Sequence, residues 1–332
     1  MIRKQIIATT GVDKQNQQLS LAVLAEYAES IALQSTATRM SINHDSTILP
    51  LGKIVSGVLK QLNNGEVALE VLIDDFADEF VPQEGPNGEI LYFAESSCDS
   101  RPFTDFQSKQ QDALTIMINP LNFSREDYND IVSYLHNNCH AHIETTISKS
   151  YFPNPEIIFN LVAGFFIATL GKQTWSKTSY KLSDAISDDF VKSYTLIKKI
   201  IEMIARKVSA CGQTVYIFTE PNQPVELVIK AKRADTVLIA LEALKEYDIF
   251  QKVQEFNIYT NENLKKMQFT YDETAPKWEM SYLTTNTGQV IGTESNYKRT
   301  MKMYRSVLES PTAGFSIGGT ATFGDSEDEK DG

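Results

Sequence analysis

From residue 213 onward the chain repeats one pattern, and that pattern limits the folds open to it more than any other feature. "QTVYIFTEPNQPVELVIKAK" gives two apolar or alternating runs about a Pro/Asn turn, and the helical run "ADTVLIALEALKEYD" follows. "KKMQFTYDETAPKWEMSYLTTNTG" gives two more runs about a turn, and "ESNYKRTMKMYRSVL" follows with helical spacing. Two strand-strand-helix units in tandem predict a four-stranded, mostly antiparallel sheet over 213–310, with both helices on one face. The units share no residue-level identity, so the repeat is one of architecture.

Residues 1–150 mix the two element types. "QLSLAVLAEYAESIALQ" sets Leu21, Leu24, Ala28 and Ile31 on one helical face. "TATRMSIN", "GKIVSGVLKQL" and "GEVALEVLI" read as strands, the last two joined by a tight turn at "NNG". Residues 74–101 are acidic and turn-rich, with one strand-like piece, "EILYFAE", and are expected as a surface excursion. "ALTIMIN" reads as a buried strand. "NFSREDYNDIVSYLHNN" reads as a helix with Ser124 as N-cap and Asp127 three residues on, and "HAHIETTIS" alternates like a strand.

Between the two halves, "FPNPEIIFNLVAGFFIATLGKQTW" is the most apolar stretch of the chain. Its Pro near the start and Gly171 near the end predict a helix over 156–171, too short to span a membrane. "SDAISDDFVKSYTLIKKIIEMIARKVSACG" opens on capping residues and acids and closes on Arg206 and Lys207, so a helical hairpin over 151–212 is expected. The expected fold class is α+β: an acidic mixed domain over 1–150, a central apolar helix pair, a four-stranded domain over 213–310, and a disordered acidic tail over 311–332. Because apolar residues surround the first central helix, Leu161, Phe165 and Phe166 are expected at the interface of a homo-oligomer.

The net charge of -12 is uneven: residues 1–150 carry 10 Lys/Arg against 20 Asp/Glu, whereas 151–332 carry 21 against 23. That balance argues against general nucleic-acid binding. Three widely spaced cysteines, Cys98, Cys139 and Cys211, do not make a disulfide framework. The first residues lack an apolar run of signal-peptide length, so a cytoplasmic protein is expected.

"HNNCHAHIE" places three of the four histidines and one cysteine within residues 136–142. His136, Cys139 and His142 would be the ligands of a zinc site, but the spacing matches no zinc-ribbon or finger pattern. The plainer reading ends a helix at His136, makes Cys139 small core and puts His140 and His142 on a strand, so no metal and no cofactor are expected.

"ATRMSINHDSTILPLGKIVSG" (37–57) resembles a stretch of the prohead maturation proteases of tailed phages, in which a histidine of an "NHD"-type motif precedes "P-x-G" and a strand. The resemblance implies His44 as general base of a serine peptidase. Ser97, or its neighbours Ser96 and Ser100, would then be the nucleophile, and His142, His140 or Glu144 the third member. Read from the residues alone, His44 and Asp45 begin a turn before Pro50. The C-terminal half resembles bacterial proteins to which no function attaches. Dinucleotide, P-loop and zinc-protease signatures are absent. The expected role is that of an intracellular interaction or self-assembling protein with an unidentified protein partner. The serine peptidase is one alternative, and a membrane-acting effector using helix 156–171 is another.

Overall fold

The computed structural model describes residues 1–12, 18–42, 45–104, 114–120, 123–138, 142–147, 155–166, 183–208, 213–274, 276–309 and 321–323. The first part of the chain forms β1 (Ile2–Thr9), α1 (Leu21–Leu33), β2 (Thr38–Met40), β3 (Gly52–Gln61), β4 (Val67–Asp75), β5 (Val81–Glu84), β6 (Ile90–Ala94), β7 (Thr115–Ile118), α2 (Arg125–Asn138) and β8 (His142–Ile147). The remainder forms β9 (Glu156–Asn160), α3 (Ser183–Val208), β10 (Thr214–Thr219), β11 (Val225–Ala231), α4 (Ala234–Ala243), α5 (Ile249–Thr260), β12 (Leu264–Asp272), β13 (Lys277–Thr285), β14 (Val290–Thr293), α6 (Glu294–Glu309) and β15 (Ala321–Phe323). The protein is α+β.

Two sheets organise these elements. The small sheet has the order β1-β4-β3-β2 and is antiparallel throughout. The large sheet has the order β15-β8-β7-β9-β10-β11-β12-β13-β14-β6-β5. Three of its neighbour pairs are parallel: β7 with β8, β9 with β10 and β11 with β12. Each of those pairs is bridged in sequence by helix, as a parallel connection requires.

Side chains alternate across the large sheet, and its two faces differ. Ile116, Phe159, Tyr216, Phe218, Leu227, Ile229, Phe269 and Leu283 pack on α2, α3, α4 and α5 in the main core. The second face meets the small sheet, α1 and α6 in another core that includes Leu24, Leu49, Val71, Ile73, Tyr282, Val290 and Met301. Gly292 of β14 matters here: a Cβ there would lie 2.6 Å from Leu49 Cδ2, so glycine lets the loop before β3 press onto the large sheet.

The tandem units appear, β10-β11-α4 and β12-β13-α6, with α5 added to the first and β14 to the second. The expectation that both helices share one face is corrected: Val237, Ala240 and Leu241 of α4 pack in the main core, whereas Met301 and Tyr304 of α6 pack in the core on the second face. The units are the middle of a wider sheet. The boundary expected near residue 150 falls inside it, because β7 pairs with β9 and β6 pairs with β14. The acidic segment 74–101 likewise contributes the β5–β6 hairpin to this sheet.

The expected helix over 156–171 is corrected. Residues 156–160 are strand β9, paired with β7 and β10, and residues 167–171 lie outside the described residues. A strand with neighbours on both edges and cover on both faces reads as a continuous apolar run, which periodicity cannot tell from a buried helix. After β9 the chain turns at Gly164, whose φ is +90°. The buried Glu220 carboxylate holds that turn, accepting the Gly164 N–H and the Phe166 N–H at 2.6 Å each. Leu161, Phe165 and Phe166, expected at a homo-oligomer interface, are 1%, 6% and 2% exposed and sit in the main core. The tail too is corrected in part, since Ala321–Phe323 pair with β8. Among the described residues, no helix is long and apolar enough to cross a membrane.

Candidate functional site

The segment "DSTIL", Asp45 to Leu49, collects more long-range hydrogen bonds than its length suggests, and it leads from β2 to β3. Its local form follows from Asp45, whose Oδ1 accepts the Thr47 N–H at 2.8 Å and the Thr47 hydroxyl at 2.5 Å. That is an Asx-type turn. Ile48, Leu49 and Leu51 are wholly buried and anchor its far end, and Leu49 N–H donates to Thr300 Oγ1 of α6 at 3.2 Å.

The ground beneath this loop is a polar rib crossing the second face of the large sheet. Strand register aligns Thr115, Asn160, Thr219, Glu226, Gln268 and Tyr282 on β7, β9, β10, β11, β12 and β13. All but Thr219 are buried. Thr219 Oγ1 donates to Asn160 Oδ1 at 2.5 Å, and Gln268 Nε2 donates to Glu226 Oε1 at 2.6 Å. Lys266 Nζ lies 3.5 Å from Glu226 Oε2 and 5.4 Å from the Tyr282 ring centroid.

The rib meets the loop at the Ser46 carbonyl, and α6 meets it at the Thr47 carbonyl. The Ser46 carbonyl accepts from Gln268 Nε2 at 2.9 Å, Tyr282 OH at 3.2 Å and an Arg39 guanidinium nitrogen at 3.4 Å. The Thr47 carbonyl accepts from Arg299 at 2.7 Å and Asn296 Nδ2 at 3.2 Å. Thr47 Oγ1 also accepts from Lys230 Nζ at 2.7 Å and Arg299 at 2.5 Å. Glu156, the first residue of β9, accepts at Oε1 from the Ser46 hydroxyl at 2.8 Å and the Ser46 N–H at 3.3 Å. Six elements therefore hold one short loop: β2, β9, β11, β12, β13 and α6.

Burial sets the electrostatics. It pushes the Glu156 carboxyl up to about 7, against the Ser46 hydrogen bond and the Arg39 charge, which both pull it down. Burial would raise Asp45 as well, but Lys230, the Thr47 hydrogen bond and Arg299 outweigh it and hold Asp45 below its usual value. Lys230 is lowered by burial. The site can therefore keep a proton near neutrality and fix a loop. Ser46 is wholly buried, so its hydroxyl meets Glu156 and no solvent-borne substrate.

A second polar cluster orders the segment "AESSCDSR". Asp74 of β4 accepts the Ser96 hydroxyl at 2.6 Å and the Ser97 N–H at 3.0 Å, while the Ser97 hydroxyl stands 3.5 Å from the same oxygen. Buried Lys53 donates to the Asp99 and Arg101 carbonyls at 2.6 Å each. Arg101 pairs with Asp99 and donates to the carbonyls of Ile31 and Gln34, which caps the end of α1.

The residues expected as a catalytic trio are thus not gathered. His44 lies outside the described residues. Ser97 follows β6, and its neighbouring carboxylate is Asp74. His142 opens β8, eight inter-strand steps from β6 in the sheet order. At about 4.8 Å per step that is roughly 38 Å along the sheet. Ser100 is exposed, and Glu144 is buried with its Oε1 4.0 Å from His142 Nε2. Of the metal candidates, His136 is exposed in the last turn of α2, while Cys139 and His140 lie outside the described residues. Among the described residues, no group of three or more His, Cys, Asp or Glu side chains is placed to hold a metal ion.

The residues that sequence reasoning passed over are Glu156, Glu226, Lys230, Lys266, Gln268, Tyr282 and Arg299. Their signal was present as polar positions alternating with apolar ones in "VELVIKA" and "KKMQFTY". Such alternation usually marks a solvated face, and here it marks a covered one. Comparison with family models, with curated proteins and with solved structures gives no match.

Proposed function

We propose that this chain is an interaction protein that assembles with copies of itself, and that it works through surfaces rather than through catalysis of its own. The observation that carries the reading is the open edge of the small sheet. Among the described residues β1 pairs only with β4; it runs for eight residues and contains no proline. Ile2 and Ile6 on it are 52% and 42% exposed. Register sets Ile6 and Val58 on either side of Glu70, and Val58 is 56% exposed, so exposed apolar side chains flank a carboxylate on this face. An unpaired strand of this kind is a template for another strand.

A second copy suits this surface. Two β1 strands paired antiparallel about a twofold axis would extend two four-stranded sheets into one and close the contact with no further edge exposed there. Lys4, Lys60 and Glu70 give the face both signs of charge, with Lys60 Nζ 2.7 Å from Glu70, and a mixed face can complement itself. The β5 edge of the large sheet is less suited, because β5 carries Pro82, which cannot donate to a new ladder. A reducing, cytoplasmic setting accords with Cys98, a free and exposed thiol.

Light scattering on the full chain at tens of micromolar tests this. The expected mass is a multiple of 37.3 kDa. An Ile2→Glu/Ile6→Glu double variant, altering exposed positions only, is expected to be monomeric with an unchanged far-ultraviolet circular dichroism spectrum. A monomeric wild type, or an oligomer indifferent to both substitutions, overturns the reading.

A further inference from the structure

We propose that protonation of Glu156 governs how the 45–49 loop, and with it the small sheet, is seated on the large sheet: the neutral carboxyl seats the loop and the carboxylate loosens it. Glu156 contacts both the hydroxyl and the N–H of Ser46, the residue whose carbonyl also receives Gln268, Tyr282 and Arg39. A change of charge at Glu156 therefore acts on the best-connected residue of the loop.

The groups facing Glu156 decide which charge state fits. From the loop comes Asp45, a like charge; from β2 comes Arg39, and from β11 comes Lys230. On β10 its register neighbour is the buried, apolar Val215. His44 lies outside the described residues. Lys230 is already engaged with Thr47 Oγ1 at 2.7 Å and stands 3.8 Å from Asp45, while Arg39 reaches the Ser46 carbonyl and Tyr282 OH. The nearby cations thus have other partners, and a second carboxylate beside Asp45 is opposed by burial and by like charge. This agrees with the rise of Glu156 to about 7 from an ordinary 4.5.

The sign follows from linkage. A carboxyl raised in the folded state adds stability that is fully present below about pH 4.5 and is lost as pH rises through about 7. If the raised value belongs to the seated loop alone, opening grows with pH in that window, by at most about 300-fold for a shift of this size.

Hydrogen exchange followed by mass spectrometry reads this directly. In the wild type, protection of peptides covering 45–52, corrected for intrinsic exchange chemistry, is expected to fall at least tenfold from pH 5.5 to pH 8, while peptides within β11 change little. Glu156→Gln keeps the acceptor for Ser46 without the charge, and it is expected to protect the loop equally at both values. Equal protection in the wild type, or an undiminished pH effect in the variant, overturns the proposal. Should the variant fail to fold, carbon-13 titration of Glu156 in the wild type decides. A midpoint near 7 supports the proposal, and one below 5 overturns it.

Discussion

Phe166→Ala lowers the stability of the fold by about 3–5 kcal/mol, the usual cost of emptying a buried phenylalanine site. Phe166 is 2% exposed, and with Leu161, Phe165, Tyr194, Ile197, Phe218, Leu241 and Leu244 it lines a small, almost wholly apolar cavity where β10, α3 and α4 meet the turn after β9. Because a void already exists there, the lost ring adds to it, and neighbours that left one gap unfilled are poorly placed to fill a larger one. The Phe166 N–H is also fixed by Glu220, so the backbone cannot slide to bring another side chain in. A melting temperature lowered on the order of 10 °C is expected, measured by circular dichroism or calorimetry. Phe165→Glu goes further, since it places a carboxylate in the same site, and is expected to give unfolded or insoluble protein. The competing expectation, that these residues line an oligomer interface, predicts instead a folded Phe165→Glu monomer. A Phe166→Ala variant melting within about 2 °C of the wild type would sink the core assignment.

What the sequence made legible depends on how local the cause is. Ser124 and Asp127 announce the start of α2: Ser124 Oγ accepts the Asp127 N–H at 3.0 Å as an N-cap does, and its hydroxyl donates to Asp127 Oδ2 at 2.8 Å. The "NNG" turn between β3 and β4 is equally local, with Gly65 at φ +85°. Strands β10 to β13 show in their own alternation. In contrast, β9 is a strand because two distant segments flank it, and nothing within "EIIFN" says so. β1 was missed for a related reason, since its outer positions alternate between isoleucine and lysine and its partner β4 lies some sixty residues on. The candidate site is the extreme case. Asp45 and the polar loop could be singled out, but the residues that hold it come from positions 39 to 300 and become neighbours only through sheet register. The acids and bases of "VELVIKA" and "KKMQFTY" look solvated until the small sheet and α6 are laid over them.

That burial makes the rib a place where one deletion is costly. Glu226→Ala is expected to destabilise the protein by about 3–5 kcal/mol, the cost of breaking a buried ion pair from one side. Glu226 is 2% exposed and Lys266 7% exposed, so neither charge can turn to solvent in the folded state. The substitution removes the carboxylate beside the Lys266 ammonium and one acceptor of Gln268 Nε2. It also opens a void beneath the Ser46 carbonyl, to which Gln268 donates. The charge and cavity contributions separate in a double variant. Glu226→Leu with Lys266→Met replaces both ions by apolar groups of similar size, which in buried pairs is often close to neutral. The double variant is therefore expected to recover most of the stability lost by Glu226→Leu alone, and chemical denaturation of the four proteins gives the coupling energy. If instead the two single effects simply add, Lys266 does not depend on Glu226, and the rib is a row of separate contacts rather than a connected network.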